Sequence, residues 1–268
     1  MLEKQNAPLF TLIMLNDSLL EKYIHNFYGY GNLNSKFWFI SLEEGGGHSE
    51  KEIQNRINAW ENRGLKQLED CKSYHLEFGI AEWFQHNANI QNTWKMYIRM
   101  YFYAVNNSDF INSNNQKELI RRYQRDKFGK INGEMCIMEL RPLPSKNLNT
   151  WLYKDFSNLT YLKDKESYEK YVDDFRINEL KNKISTYKPK FVIFLSRAKK
   201  YVPIWEKIID SDLSENYELG FYYSIKNQTN FFITEHAVAK SYMKNGKRVM
   251  GLGNDYFNKI GKHISNIG

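Results

Sequence analysis

The chain has 268 residues, 38 lysines and arginines against 31 aspartates and glutamates for a formal charge of +7, and 16% aromatic residues. That length buries a sizeable core, and five prolines, with no Gly/Ser-rich run and no internal repeat, exclude an obvious linker or a repeat array and favour a single domain over 1–268. Cys71 and Cys136 stand in no metal-ligand spacing, which excludes a zinc or iron–sulfur signature and fits a reducing compartment.

Taken in order, the apolar run Leu9 to Leu15 is too short to span a bilayer and no small-residue cleavage site follows it, so a soluble, cytoplasmic chain with no membrane partner is expected. Asp17 or Ser18 caps a helix carrying Leu19, Leu20, Tyr23, Ile24 and Phe27, ended by Gly29 and Gly31. Lys36 to Leu42 is apolar without period-two alternation, as in a parallel strand buried on both faces. It runs into Glu43, Glu44 and Gly45 to Gly47, after which Ser49 caps a helix with Ile53, Ile57 and Trp60 on one face. Arg63 to Asn92 shows no clear periodicity. Thr93 opens a helix whose Trp94, Tyr97, Ile98, Tyr101, Phe102 and Val105 read as core packing, with Lys95 and Arg99 four apart on another face. A helix over Gln116 to Phe128 carries Arg121, Arg122 and Arg125, and the whole of 63–130 reads as a helical insertion.

Glu134 to Leu140 is a second strand, leading into Arg141-Pro142-Leu143-Pro144-Ser145-Lys146, a loop that two prolines hold extended. A long helix through Tyr168 and Ile184 stops before Pro189, Phe191 to Ser196 is a third buried strand, and a helix around Trp205 follows. Tyr217 to Ile225 and Asn230 to Thr234 are two further strands joined near Asn227-Gln228, and after a turn at Asn245-Gly246 a helix from Asn254 to Ile264 completes the chain. Alternating strands and helices predict an α/β three-layer sandwich around a largely parallel sheet of about four strands.

Three strand ends carry chemistry-capable residues: Glu43 and Glu44, then Arg141, then His236. In a parallel sheet such ends lie on one edge and converge on one pocket. The arrangement resembles the uracil-DNA glycosylase superfamily: Ser41-Leu42-Glu43-Glu44-Gly45 is similar to its first motif, Arg141-Pro142-Leu143-Pro144 to a loop that some branches carry, and Thr234-Glu235-His236-Ala237 to its histidine motif. The sequence departs from the family at Ala237 and Glu44, where proline is usual, and lacks the cysteine ligands of the iron–sulfur branches and a placeable uracil-reading asparagine. A divergent branch, including bacterial defence glycosylases that remove bulky modified cytosines from phage DNA, is at least as close.

The resemblance implies a glycosylase-like sandwich and a metal- and cofactor-free DNA glycosylase. It would hydrolyse the N-glycosidic bond of a flipped-out uracil or bulky modified cytosine and leave an abasic site. Glu43, with Glu44 in reserve, would orient the water, and His236 would stabilise the leaving base. Leu42, Gly45, Gly46, Gly47 and His48 would approach the nucleotide, Phe39, Trp151 and Tyr153 would stack the base, and Arg141, Lys146 and Lys240 would grip phosphates. DNA, single- or double-stranded, is the expected partner of a monomer. The positive charge fits that partner, and equally serves to keep an aromatic-rich protein soluble. A non-catalytic reader of modified or damaged DNA and an enzyme acting on free nucleotides or nucleosides fit the same residues.

Overall fold

A computed structural model describes residues 14–147, 150–251 and 253–268. Most of the run Leu9 to Leu15 lies outside them. Eight strands form one mixed sheet: β1 (Gly29–Gly31), β2 (Phe37–Ser41), β3 (Leu68–Glu69), β4 (Met135–Glu139), β5 (Phe191–Leu195), β6 (Ser214–Asn216), β7 (Phe221–Lys226) and β8 (Thr229–Thr234). Their order across the sheet is β3-β1-β4-β2-β5-β8-β7-β6. β9 (Ser241–Lys244) and β10 (Lys247–Met250) make a separate hairpin. The helices are α1 (Asp17–Asn26), α2 (Glu50–Asn62), α3 (Cys71–Glu77), α4 (Asn92–Ala104), α5 (Ser108–Ile111), α6 (Gln116–Asp126), α7 (Tyr153–Phe156), α8 (Lys165–Tyr187), α9 (Val202–Ile209) and α10 (Asn254–Ile267).

The centre of the sheet, β4-β2-β5-β8, is parallel and consists of four of the five expected strands. The expectation of about four strands in all is corrected at both margins. Gly29 and Gly31, read as a helix stop, frame β1, which pairs antiparallel with β4 and parallel with β3. The Tyr217 to Ile225 segment resolves into the end of a turn and β7, and β6 precedes it; both are antiparallel. A three-residue Gly-Tyr-Gly strand and a two-residue strand carry too little apolar pattern to be seen without their partners.

Burial on both faces explains the missing alternation in the central strands. Phe37, Phe39, Ile137, Ile193 and Phe232 pack under α1, α2, α4 and α10. Trp38, Ile40, Met138, Val192, Phe194 and Ile233 pack on the other side under α8 and α9. Each strand therefore contributes successive residues to two cores, the signature of a strand between helical layers. The supposed helical insertion is part of this sandwich: α4 lies against α10 and buries Tyr97 on Phe39, ring centroids 5.0 Å apart and nearly coplanar at 8°.

Candidate functional site

In the order β4-β2-β5-β8 the chain passes from β2 to β4 on one side and then returns to β5 on the other. The direction of winding thus reverses between β2 and β5, and open α/β sheets form their ligand crevices outside the strand ends at such a point. A cleft of about 630 Å³ lies there, lined among others by Leu42, Glu43, Glu139, Ser196 and His236.

The acid–glycine stretch divides sharply. Glu43 turns into the cleft, where its Oε1 accepts from Lys165 Nζ at 2.6 Å at the start of α8, while its Oε2 is buried without a hydrogen-bond partner. Lys165 also reaches Ser145 Oγ at 3.3 Å. Glu44, although it borders the same cleft, is bound from three sides: Tyr30 O–H donates to both oxygens at 3.0 and 2.9 Å, Arg56 Nη1 lies 2.7 Å away and His75 Nε2 3.5 Å away. Burial acts to raise its pKa, but Arg56, His75 and Tyr30 outweigh burial and hold it at about 2. Glu44 is a fixed anion, and of the two acids only Glu43 has an oxygen to offer.

The glycines shape the turn rather than cradle a ligand. Gly47 sits at φ +66°, and a Cβ there would lie 2.7 Å from the Pro144 carbonyl oxygen. Ser49 caps α2 by accepting from Glu52 N, and Glu52 reaches back to the amides of Gly47 and His48 at 3.0 and 2.9 Å, a reciprocal cap that occupies both donors. Of the three glycines only Gly45 borders the cleft, joined by a parallel bridge to Ser145. That bridge, with Leu140 N and Arg141 N donating to Ser41 and Leu42 carbonyls at 2.9 and 2.8 Å, zips the proline loop alongside the acid turn.

Sequence reasoning missed the third carboxylate, Glu139, the last residue of β4. Its Oε2 is buried and unpartnered, and burial, reinforced by Glu44 and Glu43, pushes its pKa well above the usual carboxylate range. Only pairing with Ser41 in the register of β2 and β4 could have revealed it. His236 enters from beyond β8. Its Nδ1 faces the Val238 amide at 3.4 Å; an amide only donates, so the ring proton of the neutral form sits on Nε2. Burial lowers the pKa of His236, which keeps it neutral near pH 7. The aromatic walls are Tyr30, Trp94, Tyr97 and Tyr201, of which Trp94 and Tyr97 belong to the stripe whose preferred reading is core packing.

Several expected contacts are corrected. Phe39 lies beneath Tyr97, Trp151 donates to the Leu162 carbonyl at 2.8 Å and Tyr153 to the Pro144 carbonyl at 3.1 Å; none of the three lines the cleft. Gly46, Gly47 and His48 do not line it either. Arg141 does, but its guanidinium is bidentate to Asp173 at 3.0 and 2.8 Å and meets Glu169 at 2.7 Å, so its charge is already neutralised. Lys146 stands exposed on the rim, and Lys240 is exposed at the foot of the β9–β10 hairpin, outside the lining. On α6, Arg121 and Arg125 pair with Glu118 and Asp126.

No family model, curated protein or solved structure matches this chain. No helix among the described residues is long and apolar enough to cross a membrane, and no group of three or more His, Cys, Asp or Glu side chains among them is arranged to hold a metal ion.

The Glu44 network has a pH signature. With a folded pKa of about 2 against an ordinary 4.5, its stabilisation is present above about pH 4.5 and is lost as pH falls through about 2, a contribution on the order of 3 kcal/mol. Denaturant unfolding of Glu44→Gln at pH 7 and pH 3 should show a smaller pH effect than the native chain, together with lower stability at pH 7 from the uncompensated Arg56 charge. Parallel pH dependence in the two proteins contradicts this account.

Proposed function

We propose that the chain is a metal-independent DNA glycosylase acting on a base turned out of the strand into the Glu43–Glu139–His236 cleft. The observation that carries the reading is the meeting, at one sheet edge, of a carboxylate with a free buried oxygen, a carboxyl group kept neutral and a histidine presenting Nε2–H. Hydrolysis of an N-glycosidic bond needs these functions. As the bond breaks, its electron pair departs with the base and the sugar carbon becomes positive. Glu43 stabilises that carbon and orients a water, whose oxygen bonds to it while its proton passes to Glu43. His236 Nε2–H supports the negative charge gathering on the base, which then takes a proton from solvent. Glu139, as a neutral acid, donates its O–H to a lone pair on the base edge.

Tyr97 and Trp94 border the space where the extruded ring would sit, and a volume of about 630 Å³ is in the range of sites that enclose whole small ligands, with room for a ring and a substituent. Uracil and a bulky modified cytosine are therefore both candidate substrates. The acid turn, the proline loop and the histidine that resemble the glycosylase motifs surround the same cleft, which supports the family reading; the chemistry stands without it.

Oligonucleotides carrying uracil, hypoxanthine, or plain, hydroxymethylated or glucosylated cytosine, treated with alkali to cleave at abasic sites, test the activity. Glu43→Gln should lower base release by about 10²-fold or more while DNA binding survives; undiminished turnover removes Glu43 from the mechanism. Release by the native chain should decline as pH rises through the elevated pKa of Glu139, because ionisation removes its donated hydrogen. Glu139→Gln keeps a donor at every pH, so its profile should lose that alkaline decline, and an unaltered decline argues against the role. Alanine at Lys146 or Lys240 should each flatten the salt dependence of DNA binding by about one counterion in log–log slope, checked by fluorescence anisotropy.

A further inference from the structure

Helix α4 presents a second feature that the base cleft does not use. Lys95 and Arg99 lie one turn apart, like charges on one face, and line a separate cleft of about 610 Å³. Arg99 is 6% exposed, yet its charge meets no carboxylate among the described residues. Its Nε donates to Asn258 Oδ1 and its Nη2 to Gln116 Oε1, both at 2.9 Å, and Nη1 makes no hydrogen bond among the described residues. Lys117 on α6 adds a third positive charge on the rim, and Asn89, Asn114 and Asn254 supply neutral amides. Among the described residues no acidic side chain lines the space: Glu118 faces Arg121, and Asp255 holds Lys259 at 2.6 Å.

The backbone contributes in the same sense. Asn254 is the first residue of α10, whose N-cap Gly253 provides no side-chain hydrogen bond, so the positive end of a 14-residue helix opens here. Its position is fixed: at Gly261 the two helices approach so closely that a Cβ would lie 2.5 Å from the Met100 carbonyl oxygen. Burial, and for Lys95 also the neighbouring Arg99, pulls the pKa values of both cations down. The other buried arginines do meet a carboxylate: Arg56 at 2.7 Å, Arg141 at 2.8 Å and Arg176, more loosely, at 3.9 Å.

We propose that this cleft is a phosphate-binding site, taking the oxyanion of a phosphate ester from a nucleic-acid backbone or a free nucleotide. A phosphate supplies the missing charge, accepts from the free Nη1 and Lys95, and meets the α10 amides. The site abuts the base cleft. Asn89, Ile90 and Asn92 border one, and Gln91 and Thr93 the other, so a single strand of chain separates them. The inference goes beyond the glycosylase reading and stands on separate residues.

The test is calorimetric titration at constant ionic strength with inorganic phosphate, thymidine 5′-monophosphate and a short oligothymidylate that carries no modified base. Lys95→Glu places a carboxylate beside Arg99, so the ligand-free variant should melt at a higher temperature than the native chain and bind each anion at least ~10-fold more weakly. Lys117→Glu, on the exposed rim, should weaken binding less and serves as the second variant should the first misfold. Tighter binding of the oligonucleotide than of the mononucleotide identifies the backbone as the source; equal binding identifies the free nucleotide. Phosphate heat no greater than that of added chloride, or equal affinities in native and variant chains, overturns the site. Because no readout involves base release, a failed excision assay leaves this result independent.

Discussion

The ion pair between Glu44 and Arg56 is the contact on which the geometry of the cleft depends. Arg56 is 2% exposed, and burying a guanidinium and a carboxylate together costs several kcal/mol per ion unless the remaining polar atoms are satisfied. Here Tyr30 and His75 complete Glu44, Glu52 lies 3.6 Å from Arg56 Nη2, and the Phe78 ring lies 4.4 Å from the guanidinium carbon, while Arg56 Nε stays buried without a hydrogen-bond partner among the described residues. These partners come from β1, α2 and α3 and the turn after it, so one carboxylate gathers three elements about the end of β2. With Glu44 pinned there, the preceding residue faces the cleft.

Three carboxylates at one sheet edge consequently have three different surroundings. Glu44 is kept ionised by Arg56, Glu43 is met on one oxygen by Lys165, and Glu139 is kept neutral because it is buried near two other acids without a cation of its own. Separating the states of neighbouring acids is how one site can hold both a base and a hydrogen-bond donor at the same pH. The glycines serve this separation mechanically: the turn they permit brings Pro144 and Ser145 against residues 44–47, and Ser145 in turn shares Lys165 with Glu43.

What could be read from the sequence follows from how local each signal is. β2, β4, β5 and β8 were visible because unbroken apolar runs mark strands buried on both faces, and Glu43 and His236 because they follow such runs. Segment 63–92 was not, because it completes other elements: His75 sits beside Glu44, and Gln91 caps α4 by accepting from Trp94 N while it also borders the cleft. Tyr97 illustrates the limit within a correctly placed helix. Its spacing assigns it to the buried face, where it stacks on Phe39, but the same ring also borders the cleft, and periodicity does not distinguish the two. Arg141 fails in the opposite way, since a cation in a loop gives no local sign that Asp173 and Glu169, a helix away, will claim it.

The charge of +7 acquires meaning only when it is divided in this manner. Arg56, Arg141 and Arg197 are buried with acids and contribute nothing to an outward field, and Arg121 and Arg125 are paired on their own helix. The unpaired cations are distributed unevenly. From His236 to Asn254 the sequence has no acid, and Lys240, Lys244, Lys247 and Arg248 ride on a two-stranded ribbon whose strand β10 is largely exposed. Lys95, Arg99 and Lys117 face a cleft without an acid, beside the helix that follows that ribbon. One group follows His236 directly in the chain, and residues 89–93 separate the other from the cleft that Glu43, Glu139 and His236 line, so the unpaired positive charge gathers near that cleft.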